Sequence, residues 1–381
     1  MKIRTFEAAR GLLALWVVIG HTIKHAGYNP EDIGPWSLLA KPELAVDCFI
    51  MLSGFVIFLL LDAQRISYRD YITRRFLRIA PIYAAVLVVS ALTLGWQLDV
   101  ISAQRWSNAT ILGDLKLHRD GLDHLAAHLL AHATMLHGLV PPSVLPSGLY
   151  AIVGQAWSIS VEWQFYLIAP VAFYLLTAQR WRMLGVLLLL LALLCNQPMF
   201  GDGSVVRQGG FFVVGILSFY LWKHSDAIRS EHLPLLELFA ATGIAFALYF
   251  MSTHKISMIL WVVMLAMAIA EKCRVNGNLF SLLTPVASKP PLQWLGKISY
   301  SLYLVHNLVI YFWIDQLDTR FPSIPKAAFL GALLPLVIVT GVAVSALTYR
   351  WIESPFMRLG GRLGRRSKPV QDLEGSYQHP A

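Results

Sequence analysis

Residues 10–21 read RGLLALWVVIGH, an unbroken apolar run closed by an arginine at one end and a histidine at the other. Such a run propagates as a helix, and in a helix positions 10 and 21 are close to three full turns apart. Arg10 and His21 therefore project from one face, about 16 Å apart along the axis. Both are costly in hydrocarbon, so each needs a partner or a purpose.

The rest of the chain repeats the apolar theme. Its 381 residues are 56% hydrophobic and 14% charged, with a mean hydropathy of +0.58. That leaves too little polar surface for a water-soluble globule. Windows near the spanning length of about 20 apolar residues recur at 6–26, 43–62, 79–96, 156–177, 183–199, 209–223, 234–252, 256–271, 298–315 and 327–349. They predict an all-α, polytopic membrane protein with about ten transmembrane helices over residues 1–355. The tail over 356–381 is basic, then polar, with nothing to bury, and is expected to be disordered.

With a cytoplasmic N-terminus, 22 of the 31 Lys and Arg residues fall on the inner side and 9 on the outer. The positive-inside rule then places both termini in the cytoplasm. The same distribution accounts for the net charge of +9 without a nucleic-acid partner. The densest inner cluster is Arg65, Arg69, Arg74, Arg75 and Arg78, which suits anionic membrane lipids. The first apolar run could be a signal-peptide core, but no clean small-residue cleavage site follows, so it is expected to be retained. Cys48, Cys195 and Cys273 have neither disulfide-framework nor metal-ligand spacing.

The polar groups within the spans carry the functional information. Span 2 runs opposite to span 1, so Asp47 comes to a depth similar to that of His21. Glu162, entering span 4 from the outside, reaches the same level. One reading makes these three a single site, with a carboxylate orienting His21 as a base. The other leaves His21 bonded to a backbone carbonyl and the carboxylates facing water. At the inner face Arg10, Arg75 and Arg78 can converge on phosphates or on lipid headgroups.

Several segments, in order, resemble membrane-bound acyltransferase family 3, typified by bacterial O-antigen and exopolysaccharide O-acetyltransferases. They are Arg10 to His21, Val46 to Phe55 with Ser53 and Gly54, Arg74-Arg75-Phe-Leu-Arg78, Trp157 to Tyr166 with Glu162, Ile298 to His306 and Tyr349 to Pro355. The departures are Cys48 in place of a larger apolar residue and Trp163 in place of a common Glu.

The resemblance implies a bundle of about ten spans in a bacterial inner membrane, with acyl-CoA, usually acetyl-CoA, as a donor substrate rather than a permanently bound cofactor. The acceptor would be a hydroxyl of a cell-envelope saccharide or lipid-linked glycan. Arg10, Arg75 and Arg78 would then hold the CoA phosphates, and His21 would act as base with Asp47 or Glu162 orienting it. Ser53 and Gly54 would line the acyl channel, or form a small pair that lets helices approach. Trp157, Tyr166, Tyr300 and Tyr303 are interfacial anchors or a sugar platform, and His306 is a participant or a structural hydrogen-bonder. Direct transfer and a covalent acyl-histidine step both stay open.

His124, His128 and His132 recur every four residues in the amphipathic stretch 118–139 of the long outer loop. With no acidic or thiolate partner they suggest a polar interfacial face rather than a metal site. Asn108-Ala-Thr110 fits a glycosylation sequon. The competing functional class is a proton-coupled transporter or exporter of a polar or acylated solute using His21, Asp47 and Glu162. Against it, there are no repeated halves and no matching broken helices.

Overall fold

The computed structural model describes residues 3–64, 66–194, 201–225, 254–273 and 279–363, and among these there is no strand. Its helices are α1 (Arg4–His25), α2 (Glu43–Ala63), α3 (Tyr68–Leu92), α4 (Leu94–Ser102), α5 (Ala109–Asp123), α6 (Leu125–Ala133) and α7 (Trp157–Thr177). They continue as α8 (Arg182–Leu194), α9 (Gly209–Lys223), α10 (Lys255–Cys273), α11 (Leu279–Ala287), α12 (Pro290–Arg320), α13 (Lys326–Thr348) and α14 (Ser354–Leu363). Six helical stretches among the described residues are long and apolar enough to cross a membrane. They are Arg4–His25, Pro30–Ala63, Tyr68–Leu92, Gly154–Thr177, Lys255–Cys273 and Lys326–Leu363.

Three sequence expectations change. The third span begins at Tyr68 rather than near 79, because Ser67 caps it: its Oγ accepts from Asp70 N at 3.1 Å and donates to the Asp70 carboxylate at 2.9 Å. Arg69, Arg74, Arg75 and Arg78 therefore all lie on α3. The ninth span extends over 31 residues; its polar residues lower its apolarity but are turned into the bundle, with Ser299, Ser301 and His306 all buried. Helical structure also continues past Pro355, since α14 runs to Leu363, with Gly360 buried where an added Cβ would come within 3.5 Å of the Arg74 Cα. The expected span at 234–252, part of that at 183–199, Cys195, Arg65 and the tail beyond 363 lie outside the described residues.

Two helix contacts set the registers that matter. A Cβ on Gly11 would come within 2.8 Å of Gly296 N, and one on Gly296 would fall on the Glu7 carbonyl oxygen. Glycine at both positions lets the backbones of α1 and α12 touch. The two helices run parallel from that contact, so His21 meets His306 and His25 meets Tyr311 further along. On the other flank α2 and α9 cross at Gly54 and Gly215, whose added Cβ atoms would strike the carbonyls of Phe212 and Met51.

The ends of α1 are closed by distant residues. Ile3 offers no side-chain acceptor, so the Glu271 carboxylate of α10 takes the amides of Arg4 and Thr5, each at 3.0 Å. This satisfies amides that a helix start otherwise leaves open. At the other end Asn108 donates its side-chain amide to the carbonyls of Lys24 (2.8 Å) and Tyr28 (3.1 Å), tying the long loop to α1. Asn108 is buried by this contact, which removes the sequon from glycosylation.

Candidate active site

Two cavities lie at different heights along α1. The first is about 240 Å³ and is lined by Arg10 of α1, Ser53 of α2, Arg75 and Arg78 of α3, Glu162 and Tyr166 of α7, and Tyr300 and Tyr303 of α12. Arg75 and Arg78 share a side of α3 because they are spaced i, i+3. Glu162 accepts from Ser53 Oγ at 3.2 Å and from the Tyr166 hydroxyl. The Arg75 guanidinium sits 5.7 Å from the Tyr166 ring centroid, and its Nε has no hydrogen-bond partner among the described residues. Three guanidinium groups against one lining carboxylate give this cavity an excess of positive charge, which suits bidentate contacts with phosphate.

The second cavity, about 210 Å³, is lined by His21, Lys24 and His25 of α1, Trp157 of α7, Asn307 and Tyr311 of α12, and Gln97, Asp114 and Gln155 from the loop elements. Val46 and Tyr303 line both cavities and form the wall between them. The Tyr303 hydroxyl is held by the Gln155 carbonyl at 2.9 Å and Ser158 Oγ at 2.7 Å. Ile152, on the same wall segment as Tyr150 and Gln155, adopts φ +65°, a conformation uncommon for a β-branched residue.

His21 Nδ1 lies 2.7 Å from His306 Nε2, with the two ring planes within 5° of parallel. His306 Nδ1 is 2.7 Å from the Tyr303 carbonyl oxygen. A carbonyl only accepts, so His306 carries its proton on Nδ1 and presents a bare Nε2. That nitrogen takes a hydrogen bond from His21 Nδ1, which leaves the lone pair on His21 Nε2 free. An imidazole oriented in this way, by a second imidazole instead of by a carboxylate, can act as a base.

Residues 3–350 match the family model described as an acyltransferase domain, that of acyltransferase family 3. The chain belongs to this family. It is 29% identical over 355 residues to the protein of Bacillus subtilis (strain 168) named "Putative peptidoglycan O-acetyltransferase YrhL". That alignment covers 84% of this chain and 51% of the relative, so the chain spans about half the length of the curated relative it matches. No solved structure matches.

Within this family member the sequence-derived residues separate into two groups. Arg10, Arg75, Arg78 and Ser53 do line one cavity, joined there by Glu162, Tyr166 and Tyr300. His21 and Trp157 line the other. Neither expected carboxylate reaches His21. Glu162 is held in the arginine cavity, and Asp47 lines neither cavity. It is bound across the α2–α10 contact by His254 Nδ1 (2.9 Å) and Ser257 Oγ (2.6 Å). Gly54 is a packing residue against Phe212 and lines neither cavity. Of the loop histidines, His124 is exposed at the break between α5 and α6, whereas His128 and His132 are buried. His132 stacks on His137 at 4.0 Å, so the polar interfacial face is not formed.

The sequence reading missed Gln155, Asn307, His254 and Glu353 as site or supporting residues. Glu353 sits buried on the π-turn Tyr349–Glu353, accepts from Ser301 Oγ at 2.9 Å and lies in the electrostatic field of Arg78. A buried carboxylate that interacts electrostatically with a buried guanidinium offsets part of the cost of burying it, and π-turns are frequent at functional sites. Asn307, next to His306, carried a signal: a second polar group inside an apolar helix.

Proposed function

We propose that this membrane acyltransferase takes an acyl group, acetyl in the first instance, from acyl-CoA at the arginine cavity. It passes the group to a hydroxyl of a cell-envelope saccharide or lipid-linked glycan at the histidine cavity. The observation that carries this reading is the directed pair His306–His21, which leaves a bare imidazole nitrogen in a cavity sharing one wall with the arginine cavity. His21 Nε2 takes the acceptor hydroxyl's proton as its oxygen attacks the thioester carbonyl. The C–S bond then breaks, and the proton passes to the departing CoA sulfur. Arg10, Arg75 and Arg78 would hold the donor's phosphates through charge-assisted bonds. Peptidoglycan, the polymer in the relative's name, is one member of the acceptor class.

The lysine and arginine distribution supports a bundle of ten spans with both termini in the cytoplasm of a bacterial inner membrane. In that orientation the arginine cavity faces the CoA pool and the histidine cavity faces the envelope. The test is transfer of labelled acetyl from acetyl-CoA to envelope glycan by the full chain in nanodiscs. His21→Ala is expected to lower the rate at least about a hundredfold while the protein remains in the membrane. Retained transfer in that variant sinks the mechanism.

A further inference from the structure

The histidine cavity has matched its own charges. Lys24 Nζ pairs with Glu43 at 3.2 Å, and His25 Nε2 pairs with Asp114 at 3.0 Å. Little net charge is therefore left to select an ion, although Asp114 Oδ2 makes no aligned hydrogen bond and stays open as an acceptor. The cavity also offers a hydrogen-bond acceptor whose direction is dictated by a chain of amides. The Leu304 carbonyl can only accept, and it takes a bond from Gln155 Nε2 at 2.5 Å. Gln155 thereby turns its Oε1 toward Asn307, whose Nδ2 donates to it at 2.8 Å. Asn307 Oδ1 is left buried with no hydrogen-bond partner among the described residues.

A buried amide oxygen held without a donor is unfavourable, so such an atom marks a place where a ligand supplies the proton. Asn307 follows His306 directly in α12, and its cavity also holds His21 and the Trp157 ring. A neutral polyol ring brings hydroxyl donors for the acceptor atoms and an apolar face for an aromatic side chain.

We propose that the histidine cavity seats one neutral pyranose, with Asn307 Oδ1 receiving a hydroxyl or amide hydrogen next to the hydroxyl that His21 deprotonates. Asn307 is then a residue that determines acceptor specificity, with Gln155 fixing its orientation. The inference rests on the acyl-transfer reading only for which hydroxyl reacts. A site built to hydrogen-bond a substrate group discriminates sharply against the analogue lacking it, because its own polar atom is then left unpaired.

The test measures binding without acyl-CoA. Saturation-transfer NMR on the full chain in nanodiscs compares methyl β-N-acetylglucosaminide, its monodeoxy and deacetamido analogues, and methyl β-glucuronide. The wild type is expected to bind the parent sugar, to bind one analogue about tenfold more weakly, and to bind the glucuronide more weakly than the parent. Asn307→Ala should bind the parent and that analogue alike. Uniform binding across the series, tighter binding of the glucuronide, continued discrimination by Asn307→Ala, or no sugar binding at all would each overturn the proposal. The wild-type series decides alone if the variant does not accumulate. Sugar binding without any acetyl transfer would count against the acyl-transfer reading instead, so the two failures are distinguishable.

Discussion

The arginine cavity and the histidine cavity are built from the same helices at different heights, yet they recognise by opposite means. On α1 the arginine cavity takes Arg10 and the histidine cavity His21; on α7 they take Glu162 and Trp157, and on α12 Tyr300 and Asn307. The first keeps cations in excess of the lining carboxylate, which is what a polyanionic donor requires. The second has paired its charges internally and presents single, directed acceptors, which is what a hydroxyl-bearing ligand requires. Charge collects a ligand from a distance, whereas a fixed lone pair selects by direction at contact.

This contrast can be broken from either side. The largest expected effect is at His306. His306→Phe removes the acceptor for His21 Nδ1–H and should lower kcat about a hundredfold with the donor's KM unchanged. His306→Gln, which keeps an acceptor oxygen, should recover part of the loss. Equal losses in both variants would reduce His306 to a packing residue. Next is Arg78→Ala, which should raise the KM for acetyl-CoA about tenfold, the scale of one charge-assisted hydrogen bond. S-acetylpantetheine, which lacks the nucleotide phosphates, should be indifferent to it. Equal sensitivity of the two donors would remove phosphate binding from this cavity.

The smallest effect belongs to the loop that walls the histidine cavity. Burial holds the His137 imidazole down to about 4, against about 6.5 for an unhindered histidine. Its contribution to stability is full above about pH 6.5, is lost as pH falls from there toward 4, and changes no further below that. Hydrogen exchange across residues 134–156 should quicken over this interval, and sugar binding should weaken before donor binding does. His137→Phe should flatten the dependence.

The helices themselves were legible because apolar length is a one-dimensional property, and Arg10 and His21, about three turns apart on α1, line one cavity each. Depth was legible only in part, since Glu162 lies with the arginines rather than at the level of His21, and azimuth was not legible at all. Asp47 sits beside Val46 in sequence, yet Val46 faces both cavities while Asp47 turns to His254, just ahead of α10. About 100° of rotation per residue separates them, and only the neighbouring helices decide which face looks inward. His306 was the orienting group rather than a carboxylate because Gly11 and Gly296 set the parallel register of α1 and α12. That is a backbone contact between residues nearly three hundred positions apart. The loop histidines misled because a four-residue repeat assumes one helix, and α5 and α6 break at His124.

The wall of Val46 and Tyr303 has an electrical meaning. In the orientation proposed above the two cavities open to opposite faces of the bilayer, and the transmembrane voltage would fall across the thin layer left between them. A full elementary charge crossing 100 mV changes energy by about 2.3 kcal/mol. Charge separated across that layer during a turnover would therefore be felt by the enzyme, and an energised cell and a depolarised one would run the same chemistry at different speeds.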